Sequence, residues 1–450
     1  MTENIMTRPG GVRRRSRVAV AAGLTLFVAV VVTGLAGPAY AAASVLYVDG
    51  GNSSCSDTGA GTQAKPYCTI VKAAVVAVGG QTVQVAAGTY TGTASLGHSG
   101  AAGAPIVFQA ASGVTISGGS KGFSLSAKSH VVIRGFTITG TSSYGVYVFG
   151  SSDVRVEAGH ISFAGQPVDG ATHAGVYVNG STDVHVVGNV VDHNTDSGIV
   201  VTEGSTQVEV RGNTTYGNAR QYTRAAAGID VRGGSGVTVA GNVSHDNEDS
   251  GLNLTSTQGD VVTGNVLYHN GDHGIDDRDS PNDVIVGNTV HGNVTAGINL
   301  EGTSGSTGCT VANNVSVNNG INSPRTSSNI RVDTLSAPGT TIDYDLVQLT
   351  AGTIQLIWGT TGYTSMSAFR LAHPDQEAHG LQADPRFRAA ASGDFHLLAG
   401  SPAIDSANSA APGELNPDGF GAARVNDPAT PDTGAGPRTY DDRGAYEYQP

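Results

Sequence analysis

A glycine that returns every 23 or 30 residues constrains this chain more than any other feature. It stands at Gly145, Gly175, Gly198, Gly228, Gly251, Gly274 and Gly297, and it opens the segments GVYV, GVYV, GIVV, GIDV, GLNL, GIDD and GINL. Later in each repeat comes a Gly-Asn pair, with its asparagine at Asn189, Asn213, Asn242, Asn265 and Asn288. A second asparagine follows five residues on, at Asn194, Asn218, Asn247, Asn270 and Asn293. Self-similarity at a fixed period marks a solenoid, in which each repeat buries its apolar face only against its neighbours. Strand alternation sends the residues one and three after the glycine inward, and those two and four after it outward. Stacked coils then place the two asparagine columns at the ~4.8 Å rung spacing, where each amide bonds the next. His193, His245, His269 and His291 recur at a turn phase beside them, which makes them structural residues and not metal ligands.

Composition agrees. Glycine supplies 64 of 450 residues while charged residues are only 14%, a balance for short strands and tight turns and not for a helical bundle. A solenoid grows in one dimension, so a chain of this length needs no division into several cores. The first 41 residues read as an address. Arg13, Arg14, Arg15 and Arg17 precede an apolar run from Val18 to about Leu35, and Ala39-Tyr40-Ala41 supplies a small-x-small cleavage pattern. The run is short for a membrane anchor and is broken by Gly23 and Gly34. The expectation is a secretory signal peptide, an extracellular protein and no membrane partner after cleavage. Losing five Arg and one Glu moves the formal charge from −13 to −17, which argues against nucleic-acid binding. Cys55 and Cys68 can close a small disulfide loop in an oxidising compartment, and Cys309 falls where the repeat places a buried residue.

The phrases VLYVDGGNSS, GTQAKPYCTI and VQVAAGTYTG open the mature chain, and ADPRFRAAASGDFHLLAGSPAIDSA with RGAYEYQ closes it. In these phrases the sequence resembles the pectate-lyase-like superfamily of secreted carbohydrate-active proteins. The resemblance implies an all-β, right-handed parallel β-helix with an N-terminal helical cap, here Thr69 to Val78. It divides the chain into a signal peptide (1–41), a cap with the first coils (42–130), regular coils carrying the candidate site (131–350), and last coils with a C-terminal tail (351–450). The fold carries lyases, hydrolases, epimerases and non-enzymes, so activity has to be read from the site.

The outward columns show where such a site lies. Two residues after each glycine they read Tyr147, Tyr177, Val200, Asp230, Asn253, Asp276 and Asn299. Four after, they read Phe149, Asn179, Thr202, Arg232, Thr255, Arg278 and Glu301. Asp249 and Asp272 stand two before it, with His273 beside Gly274. One polar patch on one face is expected from these residues. Asp277 is unusual because it occupies an inward column otherwise held by Val and Leu. A carboxylate there is costly unless paired, protonated or metal-bound. Insertions precede the glycine strands: 165–174 with Asp169 and His173, 219–227 with Arg220, Tyr222 and Arg224, and 321–328 with Arg325 ahead of Arg331. Arginines gathered there in an acidic chain suit planar, bidentate recognition of carboxylates.

Three functions fit. The first is a calcium-assisted lyase acting on a uronic-acid polysaccharide, with Asp249, Asp272, Asp276 and Asp277 as oxygen ligands. Related lyases hold calcium with one aspartate on one coil and a D-D-G-x-D run on the next. Asp249, Asp272, Gly274 and Asp276 match that pattern, and His273 replaces its second aspartate. Those lyases use a lysine base, whereas the lysines here stand at 65, 72, 121 and 128. Arg278 or His273 would take that role. The second is an inverting glycoside hydrolase. Rung spacing and strand rise put Asp276 and Glu301 about 8 Å apart, and Asp230 and Asp276 about 10 Å apart, near the ~6.5–9.5 Å such enzymes use. The third is a non-catalytic carbohydrate-binding protein. In each, Arg232, Asn253, Asn299, Arg220, Tyr222, Arg224 and Arg331 are the expected substrate contacts.

Overall fold

The computed structural model describes residues 45–165, 173–219, 226–321, 323 and 325–450. The signal segment, the loop around Asp169, and Arg220, Tyr222 and Arg224 lie outside the described residues.

Three sheets of twelve strands each wind through the described chain as successive sides of a parallel β-helix. The first glycine-marked strand, Val146–Phe149, pairs in parallel with Val176–Asn179 so that Val146 meets Val176 and Tyr147 meets Tyr177. The same register continues through Ile199–Thr202, Ile229–Arg232, Leu252–Thr255, Ile275–Arg278 and Ile298–Glu301 to Ile330–Val332. No slip occurs over eight rungs, because a one-residue shift would turn every apolar side chain outward. The expected inward columns are buried: Ile229, Val231, Leu252, Leu254, Ile298 and Leu300 all lie in the core.

The marker glycine has a steric cause. A Cβ on Gly274 would lie 2.2 Å from Val290 Cγ1 and 2.8 Å from the carbonyl oxygen of Gly297 on the next coil. The bend into this strand leaves room for a hydrogen only.

Both asparagine ladders form. Asn189, Asn213, Asn242, Asn265 and Asn288 each donate Nδ2 to the Oδ1 of the next coil's ladder residue at 2.9–3.0 Å. The line extends through Asn314 to Asp345. The second column runs from Asn194 to Asn293 and on through Asn319 and Asn329 to Gln355. The turn histidines are stacking residues, as in Tyr216–His245–Tyr268 with centroids 5.2 and 4.7 Å apart.

The cap is a helix, Ile70–Val76, begun by Thr69, whose side chain accepts from the Lys72 backbone N–H. Ile70, Ala73 and Ala74 bury its apolar face. Cys55 and Cys68 form the expected disulfide, and Cys309 is a buried free thiol. Beyond residue 350 two further strands, Leu356–Trp358 and Leu381–Gln382, still pair in parallel, and a tail follows them. The final parallel rung is Leu381–Gln382, after which an antiparallel hairpin, Phe387–Ala389 with Asp394–Leu397, begins a return path. Thr263 Oγ1 donates to the Gly413 carbonyl, and the Ala445 N–H donates to Thr289 Oγ1, both over the other two sheets. No helix among the described residues is long and apolar enough to cross a membrane.

Candidate functional site

The sheet that starts at each marker glycine carries the site. Alternation turns Asp230, Asn253, Asp276 and Asn299 out of four consecutive rungs in one vertical column. A groove of about 310 Å³ opens beside them, lined by Asp230, Arg232, Asp249, Asn253, Asp272, Asp276, Arg278 and Arg325, with Ala227 and Thr255. Residues distant in sequence thus converge as stacking requires.

Hydrogen bonds fix the column. Asp230 is buried and ion-paired with Arg232. Its other contacts are Ser197 Oγ, donating at 3.3 Å, and Asn253 Nδ2, donating at 3.0 Å. Asn299 Nδ2 donates to Asp276 Oδ1 at 2.8 Å. Arg331 donates to Asn299 Oδ1 at 2.6 Å and pairs with Glu301 at 2.7 Å. Asn299, Glu301 and Arg331 therefore form a supporting rung behind Asp276 and do not line the groove.

At the other edge, Asp249, Asp272 and Asp276 crowd together. Burial, and then the charges of Asp272 and Asp276, push Asp249 up to about 7. Burial likewise raises Asp276, opposed by His273 and the Asn299 bond. Asp272 accepts from Thr295 Oγ1 at 2.5 Å and is ion-paired with Arg325, which reaches over from the third insertion. His273 is buried beneath the groove and does not line it. Its Nε2 lies 2.9 Å from Thr326 Oγ1, while its Nδ1 faces Asp272 Oδ2 at 3.4 Å and Asp276 Oδ1 at 3.8 Å. This places His273 under the carboxylates as a support and not as a base exposed to substrate.

Asp277 corrects the expected ligand set. It is fully buried on the opposite face of its strand, accepting from Ser306 Oγ at 2.8 Å with Cys309 Sγ 3.8 Å away. Alternation separates it from Asp276, so it cannot join Asp249 and Asp272 on one ion. Burial and the nearby Asp283 raise its carboxyl well above the ordinary range, which favours the neutral acid in the core. Among the described residues no group of three or more His, Cys, Asp or Glu side chains is placed to hold a metal ion as they stand, and Asp272 is already paired with Arg325. The donors that remain, Asp249, Asp272 and Asp276, are hard oxygens whose mutual repulsion a divalent cation would relieve.

A family described as the right-handed β-helix region matches residues 109–215 and 214–334. The chain belongs to that family. A second family, described as a protein of unknown function, matches residues 53–97 of this β-helix protein. The uncharacterized protein YwoF of Bacillus subtilis is 34% identical over 124 residues, an alignment spanning 24% of this chain and 26% of the relative. Among solved structures, pectate lyase Pel9A is similar over 91% of this chain and 98% of its own, with a TM-score of 0.57 and 17% identity. A rhamnogalacturonan lyase is similar over 77% and 90%, with a TM-score of 0.49 and 14% identity. At 17% identity the likeness to Pel9A establishes the shared fold alone.

Within the β-helix, several supporting residues escaped the sequence reading. Thr295, which bonds Asp272, stands two residues before Gly297, in the same column as Asp249 and Asp272. Asp196 stands in that column before Gly198 and is buried on the rung preceding Asp230. The column was readable by register. Thr326 and the reach of Arg325 were not, because both come from an insertion with no phase of its own. Arg278 is exposed in the groove, and among the described residues its guanidinium has no ion pair or hydrogen bond.

Proposed function

We propose that this protein is secreted and cleaves a uronic-acid polysaccharide by β-elimination in the groove between Asp230 and Asp276. The observation that carries the reading is Arg278, an exposed and unpaired guanidinium two residues along the strand from buried Asp276. Among the described residues the other arginines lining the groove, Arg232 and Arg325, are paired, which leaves this one for substrate. A lyase must neutralise the uronate carboxylate, remove the proton at C5 and release the C4 oxygen. Asp249, Asp272 and Asp276 would hold calcium, which when bound supplies that neutralisation and acidifies the C5 proton. Arg278 would act as the base in its neutral form, having first released its own proton to solvent, and the departing C4 oxygen would take a proton from water. Arg232 remains on Asp230 and presents its outer edge to a second carboxylate.

The test is turnover of a polygalacturonate by the purified chain, followed by the ultraviolet absorbance of the unsaturated product. Arg278→Ala should lower turnover by about 100-fold or more with the fold intact, as expected for a group in proton transfer. Arg278→Lys should recover only part of it, because an ammonium lacks the planar fork. Chelation should abolish turnover and added calcium restore it. Turnover that survives both Arg278→Ala and, in the wild type, chelation rejects the assignment.

One observation favours a second reading. Asp276 is raised by burial while Asp230 is ion-paired to Arg232, and Asn253 stands between them on the intervening rung. Acid and ionised carboxyls two rungs, about 10 Å, apart resemble the pair of an inverting hydrolase. Glu301 is the weaker partner because Arg331 engages it. New reducing ends without the unsaturated product would select this reading. Binding without cleavage would make the protein a carbohydrate-binding module.

A further inference from the structure

The outward column that carries Asp230 and Asp276 does not begin there. Two rungs earlier it holds Tyr177, and one before that Tyr147, in unbroken register through Val200. The Tyr147 and Tyr177 rings are parallel, with centroids 5.7 Å apart. Phe149, exposed on the same strand as Tyr147, lies within 8° of the same orientation at 6.1 Å. Tyr144 leans against both tyrosines at 5.1 and 4.8 Å. Lys121 Nζ sits 5.0 Å from the Tyr147 ring centroid, putting a cation at the far edge. Aromatics make up only 6% of this chain, so four of them on one outward face need a cause. Core packing does not supply it, because the neighbouring inward residues Val146, Val148, Val176 and Val178 already fill the interior.

The array lies on the groove's own column, with Tyr177 two rungs before Asp230. Tyr177 lies within electrostatic reach of Arg232, which lines the groove. Adjacent rungs lie ~4.8 Å apart, a spacing comparable to the length of one pyranose unit. A polymer held at Asp230 and Arg232 and running along the helix axis would therefore pass Val200 and set its second and third units beyond over Tyr177 and Tyr147.

We infer that Tyr147, Tyr177 and Phe149 form a distal sugar-binding subsite that stacks on non-reacting units of the same acidic polysaccharide, with Lys121 meeting a carboxylate beyond them. This rests on the reading of the groove given under Proposed function. The subsite would add affinity for long chains only, because a short one fills the groove without reaching it.

The experiment measures binding of galacturonate dimer and octamer by calorimetry, alongside turnover, in wild type, Tyr147→Ala/Tyr177→Ala, Tyr147→Phe/Tyr177→Phe and Asp276→Ala. The double alanine variant should bind octamer about tenfold more weakly, ~1.4 kcal/mol, with dimer binding and turnover unchanged. The double phenylalanine variant should keep most of the octamer affinity. Equal loss for dimer and octamer, or no loss for octamer, overturns the inference. If turnover depends on Asp276 while octamer affinity ignores the tyrosines, the subsite falls and the groove reading stands. If octamer affinity depends on the tyrosines but nothing is cleaved, the groove reading falls and the subsite stands. A wild type that binds neither oligomer overturns both.

Discussion

Asp277 shows how a single position inside a repeat changes what the core must hold. The interior beside it also takes Asp260 and Asp283, both fully buried, with Ser280, Ser306 and Cys309 around them. Asp260 Oδ1 accepts from the Val237 N–H at 2.7 Å, and Asp283 Oδ1 from the Asp260 N–H at 2.8 Å. Burial raises Asp260 to about 6, and burial with the charge of Asp260 raises Asp283 to about 8. Raised carboxyls keep their protons in the folded chain after the unfolded chain has released them. Their contribution to stability is complete below the ordinary carboxylate range near ~4 and is lost as pH rises through about 6 and then about 8. Thermal unfolding scans should therefore show stability falling between those values, by up to ~1.4 kcal/mol per pH unit for each retained proton. Asp283→Asn, which keeps the acceptor without the charge, should flatten the upper part of that slope. An unchanged slope would mean the interior acids ionise freely.

At the scale of the element, the ladders decide register as much as the apolar columns do. Asn242 Oδ1 accepts both the backbone N–H and Nδ2 of Asn213, at 2.9 and 3.0 Å, while its own Nδ2 donates to the Val210 carbonyl and to Asn265. An alanine there strands the Asn213 backbone N–H and one of its Nδ2 hydrogens and removes a donor from the Val210 carbonyl, while Asn265 Oδ1 keeps the backbone N–H of residue 242. Asn242→Ala should cost roughly 2–4 kcal/mol in denaturant unfolding, since each orphaned buried group costs ~1–3. Asn189→Ala, toward the start of the ladder where one neighbouring amide fewer depends on it, should cost less. Equal losses would show that the amides act independently and not as a chain. The sequence displayed both columns openly, because fixed phase needs only counting. It did not reveal that Asp345 continues the first ladder as an acceptor, since an aspartate there breaks the residue pattern while preserving the bond.

For the whole molecule, the return of the tail matters most. Arg443 is buried and donates to the carbonyls of Asp345, His379 and Ser406, tying the last residues to the far end of the solenoid. Burial lowers it to about 10, while Glu377 and Asp345 oppose that shift. Removing this cation leaves two buried acids without their counter-charge. Arg443→Met should destabilise by roughly 3–5 kcal/mol, read by denaturant titration. It should also release the tail to protease before the coils unfold, because a solenoid's stability is local to neighbouring repeats. Loss of the whole chain in one step would instead show that the tail and coils are a single cooperative unit. The tail packs on later coils of the two sheets that do not carry the groove.

What the sequence settled alone was periodic. A glycine with no room for a side chain, two inward apolar positions and two asparagine columns repeat at fixed phase, and phase converts directly into direction on a stacked strand. Asp230, Asn253, Asp276 and Arg278 were legible by that arithmetic. Only the tertiary structure decided which of those groups are already engaged. Arg331 on Glu301, Arg325 on Asp272 and the threonines under both edges come from insertions or neighbouring columns whose reach no repeat specifies. The same is true of Asp277, whose column foretold an inward carboxylate but not the serine, thiol and paired acids that keep it there. Direction follows from local backbone geometry, whereas partnership depends on distances between coils, and those exist only once the coils have stacked.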